Sequence, residues 1–318
     1  MIAAGALLAA PLVAEAQQTR KVYRIGFLTV LSGPIPPHAA FFDALRELGY
    51  VEGRNIIVER RFAAGNVDQL NEFAIELVRL KVDLIVASAT QAAQAAQKAT
   101  TTIPIIFVAV VDPVGAGLVA SLAQPDRNIT GLSMLSAELS GKRLELLKEL
   151  VPKLAQVAVL QNPSNASNPL QVTQTEAAAR KLGVQLQLLE VRAPNDFETA
   201  FQAAVRGRAG ALIVLDDPLT FTERTRIAAL STEHRLPTIS GFGESAVAGG
   251  LMAYGVDLPD HFRRVATYVG RTLKGVKPAD LPVEQPTKFE LVINLKTAKA
   301  LGIQIPQFIV LRADRVIE

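Results

Sequence analysis

Few residues of this chain can carry covalent chemistry. Among 318 residues there is no Cys, and the His residues number three: His38, His234 and His261. Thiol nucleophiles, disulfides and Cys-based zinc or iron–sulfur sites are excluded, and three scattered imidazoles do not form a His-rich metal site. Neither a P-loop nor a His-Glu-x-x-His pair occurs. Gly243-Glu244-Ser245-Ala246-Val247 lacks the last glycine of a nucleophile elbow. Two stretches, 115–120 and 241–246, fit G-x-G-x-x-A, but neither follows the first strand of its lobe, where a dinucleotide fingerprint belongs. The sequence therefore implies no catalytic residue, no cofactor and no metal. It offers instead small polar and acidic residues of the kind that hold a ligand by hydrogen bonds and charge.

Ser88-Ala89-Thr90 leads into an Ala-rich helical run. Free backbone N–H groups at such a helix start suit a carboxylate; alternatively, Thr90 is a plain helix cap. Asp112, Asp216 and Asp217 can each receive a ligand ammonium or cap the helix that follows. Asn162 and Asn165 add amides. Leu31, Ser32, Val110 and Gly241 occupy the corresponding loops, and Phe242 either packs on an apolar ligand group or belongs to the core. Tyr254 and Asp257 lie where the chain passes between two lobes, and either line a cleft or serve structure.

The elements that must position these residues repeat. From Lys21 onward, short β-rich runs alternate with amphipathic helical runs. Strands are expected at 23–28, 55–59, 82–86 and 103–108, with helices at 36–48, 66–80 and 91–100. The same order recurs: strands at 156–160, 184–190, 211–215 and 236–239, helices at 171–182 and 197–206. Gly183 ends its helix as Gly49 ends the first. Alternation of this kind implies right-handed βαβ crossovers and parallel sheets covered on both faces. The expected fold is α/β, two doubly wound Rossmann-like lobes of one topology. Ligands of such sheets sit beyond the carboxyl ends of the strands, which selects the loops named above.

Residues 2–14 are almost wholly apolar or small and end at Ala14-Glu15-Ala16. The run is too short to span a bilayer and reads as an export signal cleaved after Ala16, although no Lys or Arg precedes Arg20. Export places the protein, soluble, in the periplasm. The formal charge of +3 comes from interspersed charges without a basic block, so no nucleic-acid partner is implied. Beyond the repeat, a β-prone run at 250–256, a helix at 259–273, an extended run at 284–294 and a short helix at 295–301 suggest that the chain crosses between lobes three times. The expected division is residues 22–128 plus 257–283 in the first lobe and 132–252 plus 286–318 in the second. The crossings fall near 129–131, 253–256 and 284–286, as a multi-strand hinge.

Several motifs carry a resemblance over nearly the whole chain. They include Glu47 to Asn55 (ELGYVEGRN), Lys81 to Val86 (KVDLIV), Asp112-Pro113-Val114, Asn128-Ile129-Thr130-Gly131, Asn162-Pro163 and Lys277 to Glu284 (KPADLPVE). The most specific is Phe289 to Gly302 (FELVINLKTAKALG). The chain resembles the ABC-transporter substrate-binding proteins of type I periplasmic-binding-protein fold. The resemblance implies a monomeric, non-enzymatic receptor that closes on a small organic solute, an amino acid or related carboxylate, and delivers it to an inner-membrane ABC permease. Some relatives are associated with aromatic amino acids; by that likeness Ser88-Ala89-Thr90 would hold the ligand carboxylate and Asp217 and Asn162 its polar head group. The loop Leu31 to Pro37 departs from the acidic, His-containing form expected of those relatives. An extracytoplasmic sensor that signals to a membrane partner would keep the same cleft.

Overall fold

The computed structural model describes residues 21–318; the export signal expected over residues 1–16 lies outside them. The first lobe is laid down as β1 (Tyr23–Thr29), α1 (Pro36–Glu47), β2 (Ile56–Phe62), α2 (Val67–Arg79), β3 (Leu84–Ser88), α3 (Thr90–Ala99), β4 (Ile105–Val110) and β5 (Ile129–Ser133). The second begins with α4 (Ser136–Leu150), β6 (Gln156–Gln161), α5 (Asn168–Leu182), β7 (Gln185–Glu190), α6 (Asp196–Arg206) and β8 (Ala211–Val214). It continues through α7 (Pro218–Thr222), α8 (Arg224–Glu233), β9 (Thr238–Ser240), α9 (Gly243–Val247) and β10 (Met252–Val256). Then follow α10 (Leu258–Leu273), β11 (Phe289–Asn294), α11 (Leu295–Leu301), α12 (Gln307–Val310) and β12 (Arg315–Ile317).

The first sheet has the order β2-β1-β3-β4-β5, all parallel. The second contains β7-β6-β8-β9-β10, the same order strand for strand, extended by β11 and β12. The repeat read from sequence is thus a repeat of topology. β11 runs antiparallel to β10, and β12 parallel to β11.

The inner strands of each sheet are apolar runs buried on both faces. In β1, Phe27 packs with Phe41, Leu45, Phe262 and Val269 under α1 and α10. Leu28, its neighbour, packs with Leu70, Leu77 and Ala92 under α2 and α3. Helix α2 is built for this: the Asn66 side chain accepts from Gln69 N, and Leu70, Ala74 and Leu77 form a buried stripe at helical spacing.

The chain passes between the lobes at three places. After β5 it enters α4, which packs on α5 and β10 of the second lobe. After β10 it enters α10, which returns to pack on α1 and β4 of the first. Near Glu284, which bridges to Leu132, it leaves again for β11. No element was expected between residues 133 and 155, where the 15-residue α4 stands. Leu144, Leu146, Leu147 and Leu150 are all buried, so this helix hides more than one face and carries no clean one-sided stripe.

Candidate functional site

Parallel register brings the strand ends of the first lobe level: Thr29 pairs with Ser88, and Ser88 with Val108. The loops beyond them form one edge. Ala89 takes φ 82° and ψ 161° there, a region that residues with a Cβ avoid at a cost of about 1–3 kcal/mol. This turn sends the chain from β3 straight into α3. Sequence reasoning allowed Thr90 as the cap of that helix; instead Ala89 occupies the cap position and Thr90 is the first helical residue, with no side-chain cap. The first-turn N–H groups of α3 have no partner within the helix and lie at this edge.

The facing edge belongs to the second lobe. The loop after β6 folds on its own amides: Asn162 Oδ1 accepts from Ser164 N at 3.0 Å and Asn165 Oδ1 from Ser167 N at 3.0 Å. Their amide NH2 groups are left to point at Asp217. Asn165 Nδ2 donates to Asp217 Oδ2 at 2.8 Å, and Asn162 Nδ2 lies 3.2 Å from both carboxylate oxygens. Leu219 N donates to Asp217 Oδ1 at 2.7 Å, so Asp217 also caps α7.

The adjacent acid has a different environment. Asp216 Oδ2 receives Arg143 Nη2 at 2.9 Å, in an ion pair whose side chains are 1% and 0% exposed. Arg143 also donates through Nε to the carbonyl of Tyr254 at 2.8 Å. Gly241 is required beside this pair, because a Cβ there would stand 2.0 Å from Asp216 Oδ1. Asp216 is therefore neutralised, whereas Asp217, 2% exposed, receives only neutral donors and forms no ion pair among the described residues. Burial pushes the Asp217 carboxyl above the usual carboxylate range, and its amide hydrogen bonds oppose that shift.

The two edges border a cavity that is partly open to solvent. Its apolar wall includes Leu31, Ile35, Phe221, Phe242 and Phe262; its polar wall includes Ser88, Thr90, Asn165 and Asp217. The Phe221 and Phe242 rings meet edge to face at 5.1 Å between centroids. Across the cleft, Thr90 Oγ1 and Ser167 Oγ lie 3.1 Å apart, both buried, so the lobes touch here through one hydrogen bond. A second, larger cleft adjoins the cavity and is lined by Ser32, Asn162 and again Asp217.

Leu31, Ser88, Ala89, Thr90, Asn165, Asp216, Asp217 and Phe242 thus come together on the cavity, with Ser32 and Asn162 on its outer extension. Five of the residues selected from sequence stand elsewhere. Val110 is fully buried in the first lobe's core. Asp112 accepts from Gly115 N and holds a turn. Gly241 packs behind Asp216, and Asp257 caps α10 while pairing with Lys288 at 2.5 Å. Tyr254 faces a separate depression with Phe289 and Arg312, and only its carbonyl reaches Arg143. Conversely, Arg143, Ser167, Phe221 and Phe262 went unnamed in the sequence, although Phe221 follows Asp217 closely enough for the α7 turn to bring it to the same wall.

Comparison with known proteins identifies the family and the fold. The model of the family described as ABC transporter substrate binding protein matches residues 36–317. A tyrosine-binding protein of Clostridioides difficile is 32% identical over 289 residues, covering 90% of this chain and 83% of that protein. A solved structure from Streptococcus pneumonia, in complex with L-Trp, superposes with a TM-score of 0.85 at 27% identity, covering 93% of this chain and 99% of that one. The ligand-free, open structure of a substrate binding protein with adhesive properties from Clostridium difficile gives 0.68 at 28% identity, with the same coverage of both chains. At nearly equal identity, the whole chain superposes more closely on the L-Trp complex than on the open structure.

Proposed function

The chain belongs to the ABC transporter substrate-binding protein family, and from that premise we propose that it is a receptor for an amino acid with a large apolar side chain, which it encloses between its lobes and delivers to a membrane permease. The observation that carries this reading is the single uncompensated charge of the cavity. Asp217 is buried with neutral partners alone, and a buried carboxylate in that condition is relieved by a cation. The ligand ammonium fills that role. The ligand carboxylate then lies at the N-terminus of α3, where Thr90 and Gln91 open the helix, and the apolar side chain lies against Phe221, Phe242 and Phe262. The relatives described as tyrosine-binding and as a complex with L-Trp support an aromatic side chain.

In this reading the three passages between lobes act as a hinge, and the contact between Thr90 and Ser167 forms on closure. The likeness to the L-Trp complex over the open structure supports a closed arrangement. The receptor works as a monomer outside the cytoplasmic membrane, after removal of residues 1–16, and without catalysis. Thermal-shift screening of the purified protein against all amino acids, organic acids and sugars, with native mass spectrometry of protein from cell extract, tests the proposal. Stabilisation by L-tyrosine, L-tryptophan or L-phenylalanine is expected. Stabilisation by sugars alone, or by nothing in the panel, overturns it.

A further inference from the structure

Strand β8 ends at Val214, yet the acid assigned to the ligand ammonium lies three residues beyond it. Leu215 N still donates to Leu160 O of β6, but β6 ends at Gln161 and its chain turns away at Asn162. On the other side β9 ends at Ser240, and the backbone of Asp216 makes no hydrogen bond to either strand. Gln171, fully buried on α5, takes that place: its Oε1 accepts from Asp216 N at 3.0 Å and its Nε2 donates to Asp216 O at 3.1 Å. One side-chain amide pairs with both main-chain groups of one residue, as a neighbouring strand would. Asn168, also fully buried, adds a bond from Nδ2 to Asp216 O at 3.3 Å and accepts from Asn162 N through Oδ1 at 2.8 Å.

The Asp216 side chain is fixed from the opposite direction by Arg143 of α4, and α4 packs directly on α5. Asp216 is therefore held by main chain and side chain from two helices packed on each other. Asp217, bonded to it, stands in extended backbone at φ −158° and ψ 145°, with its carboxylate between Asn162 and Asn165. None of Gln171, Asn168 and Arg143 lines the cavity.

We infer that Gln171 is a positioning residue for ligand selectivity: by standing in for the missing strand beside Asp216, it fixes Asp217 where a ligand ammonium must sit. The inference rests on the proposed amino-acid reading. It makes the amide on α5, remote from the ligand, a determinant of how strongly the receptor prefers an amine-bearing solute to one without an amine. Rigid placement matters because a charge-assisted hydrogen bond weakens steeply with distance and angle.

The experiment compares the wild type with Gln171→Met, which keeps length and volume but removes both hydrogen bonds, using L-tyrosine and desaminotyrosine as probes in calorimetry. The expected result is a rise of about tenfold or more in Kd for L-tyrosine with little change for desaminotyrosine. Adding Gln171→Met to Asp217→Asn is expected to cost no further affinity, since a positioning residue has nothing left to position. Equal losses for both probes, or additive losses in the double variant, mean that Gln171 only holds the lobe together and overturn the inference. Unchanged affinities overturn it as well. If the wild type binds none of L-tyrosine, L-tryptophan and L-phenylalanine, the amino-acid reading itself fails and this inference fails with it; that outcome is read before any variant is made. Should Gln171→Met fold poorly, Asn168→Ala removes the third bond to Asp216 and is expected to show the same selective loss in smaller measure; equal loss for both probes there refutes the role.

Discussion

Replacing Asp217 by Asn keeps the shape of the side chain and removes the charge. At an effective dielectric of about 20, opposite charges about 3 Å apart attract by roughly 5 kcal/mol. Desolvation of the ligand ammonium returns part of this, and truncating one member of a buried charge pair costs about 2–5 kcal/mol in measured complexes. The dissociation constant for L-tyrosine should therefore rise by roughly 30-fold to several thousand-fold. The free protein should respond differently. Burial raises the Asp217 carboxyl above its ordinary range, so loss of the charge relieves a penalty. Against that, the new amide must point an N–H group at Leu219 N or at Asn165 Nδ2, both donors, at a cost of about 1–3 kcal/mol. These effects oppose, and the thermal midpoint should move little. Calorimetry with L-tyrosine and desaminotyrosine, alongside thermal unfolding, reads all three quantities. A variant that binds L-tyrosine as well as the wild type, or that loses both ligands equally, refutes the placement of the ammonium. Because the ammonium favours the carboxylate, binding should also release a proton when the pH lies below the raised value in the free protein, so affinity should improve as pH rises through it.

Thr90→Val removes the hydroxyl contact with Ser167 and should speed ligand release about 2- to 10-fold in stopped-flow fluorescence or competition, the effect of one hydrogen bond; an unchanged rate excludes it as a closing contact. Arg143→Met strands Asp216 in the interior and should destabilise by about 3–5 kcal/mol in urea unfolding. Gly241→Ala should damage the same pair, since its Cβ would meet Asp216 Oδ1 at 2.0 Å and Arg143 Nη2 at 2.3 Å; normal stability in either variant contradicts this packing. His38 and His261 are held by burial at a pKa of about 4 instead of the ordinary 6.5, so the unfolded chain takes up their protons first. Their contribution is complete above pH 6.5 and is lost as pH falls toward 4, by about 1.4 kcal/mol per unit for each. Urea midpoints that stay flat across that window in the wild type would rule this out.

The cleft was legible because strand ends are legible. Once Leu84–Ser88 and Ala211–Val214 are read as buried parallel strands, Ala89, Thr90, Asp216 and Asp217 fall at their carboxyl ends without further information. The different compensation of the two neighbouring acids, one by a cation and one by neutral donors alone, was not legible. It depends on Arg143, an arginine with no exposure on a helix whose apolar residues cover several faces, and sequence pattern assigns such a residue to the surface. Asp112 and Asp257 misled for a related reason: each is an acid before a helix or turn, and local backbone N–H groups claim it before a ligand can. The turn at Ala89 was hidden because its unusual backbone is imposed by tertiary packing, whereas a Gly would have announced it.

Synthesis from the N-terminus meets an unfinished lobe. The first sheet is complete once Ser133 has emerged, but the α10 residues that cover it with α1, Phe262, Val265 and Val269 among them, belong to a segment more than a hundred residues further on. Until then an apolar face containing Phe27, Ile106 and Val108 lies open on the nascent chain. The second sheet is likewise short of β11 and β12 until nearly the last residue. Neither half can therefore mature ahead of the other as an ordinary N-terminal domain would, and the growing polypeptide carries a sticky surface for most of its manufacture. For the exported receptor proposed above, such late completion would delay folding until synthesis is nearly over.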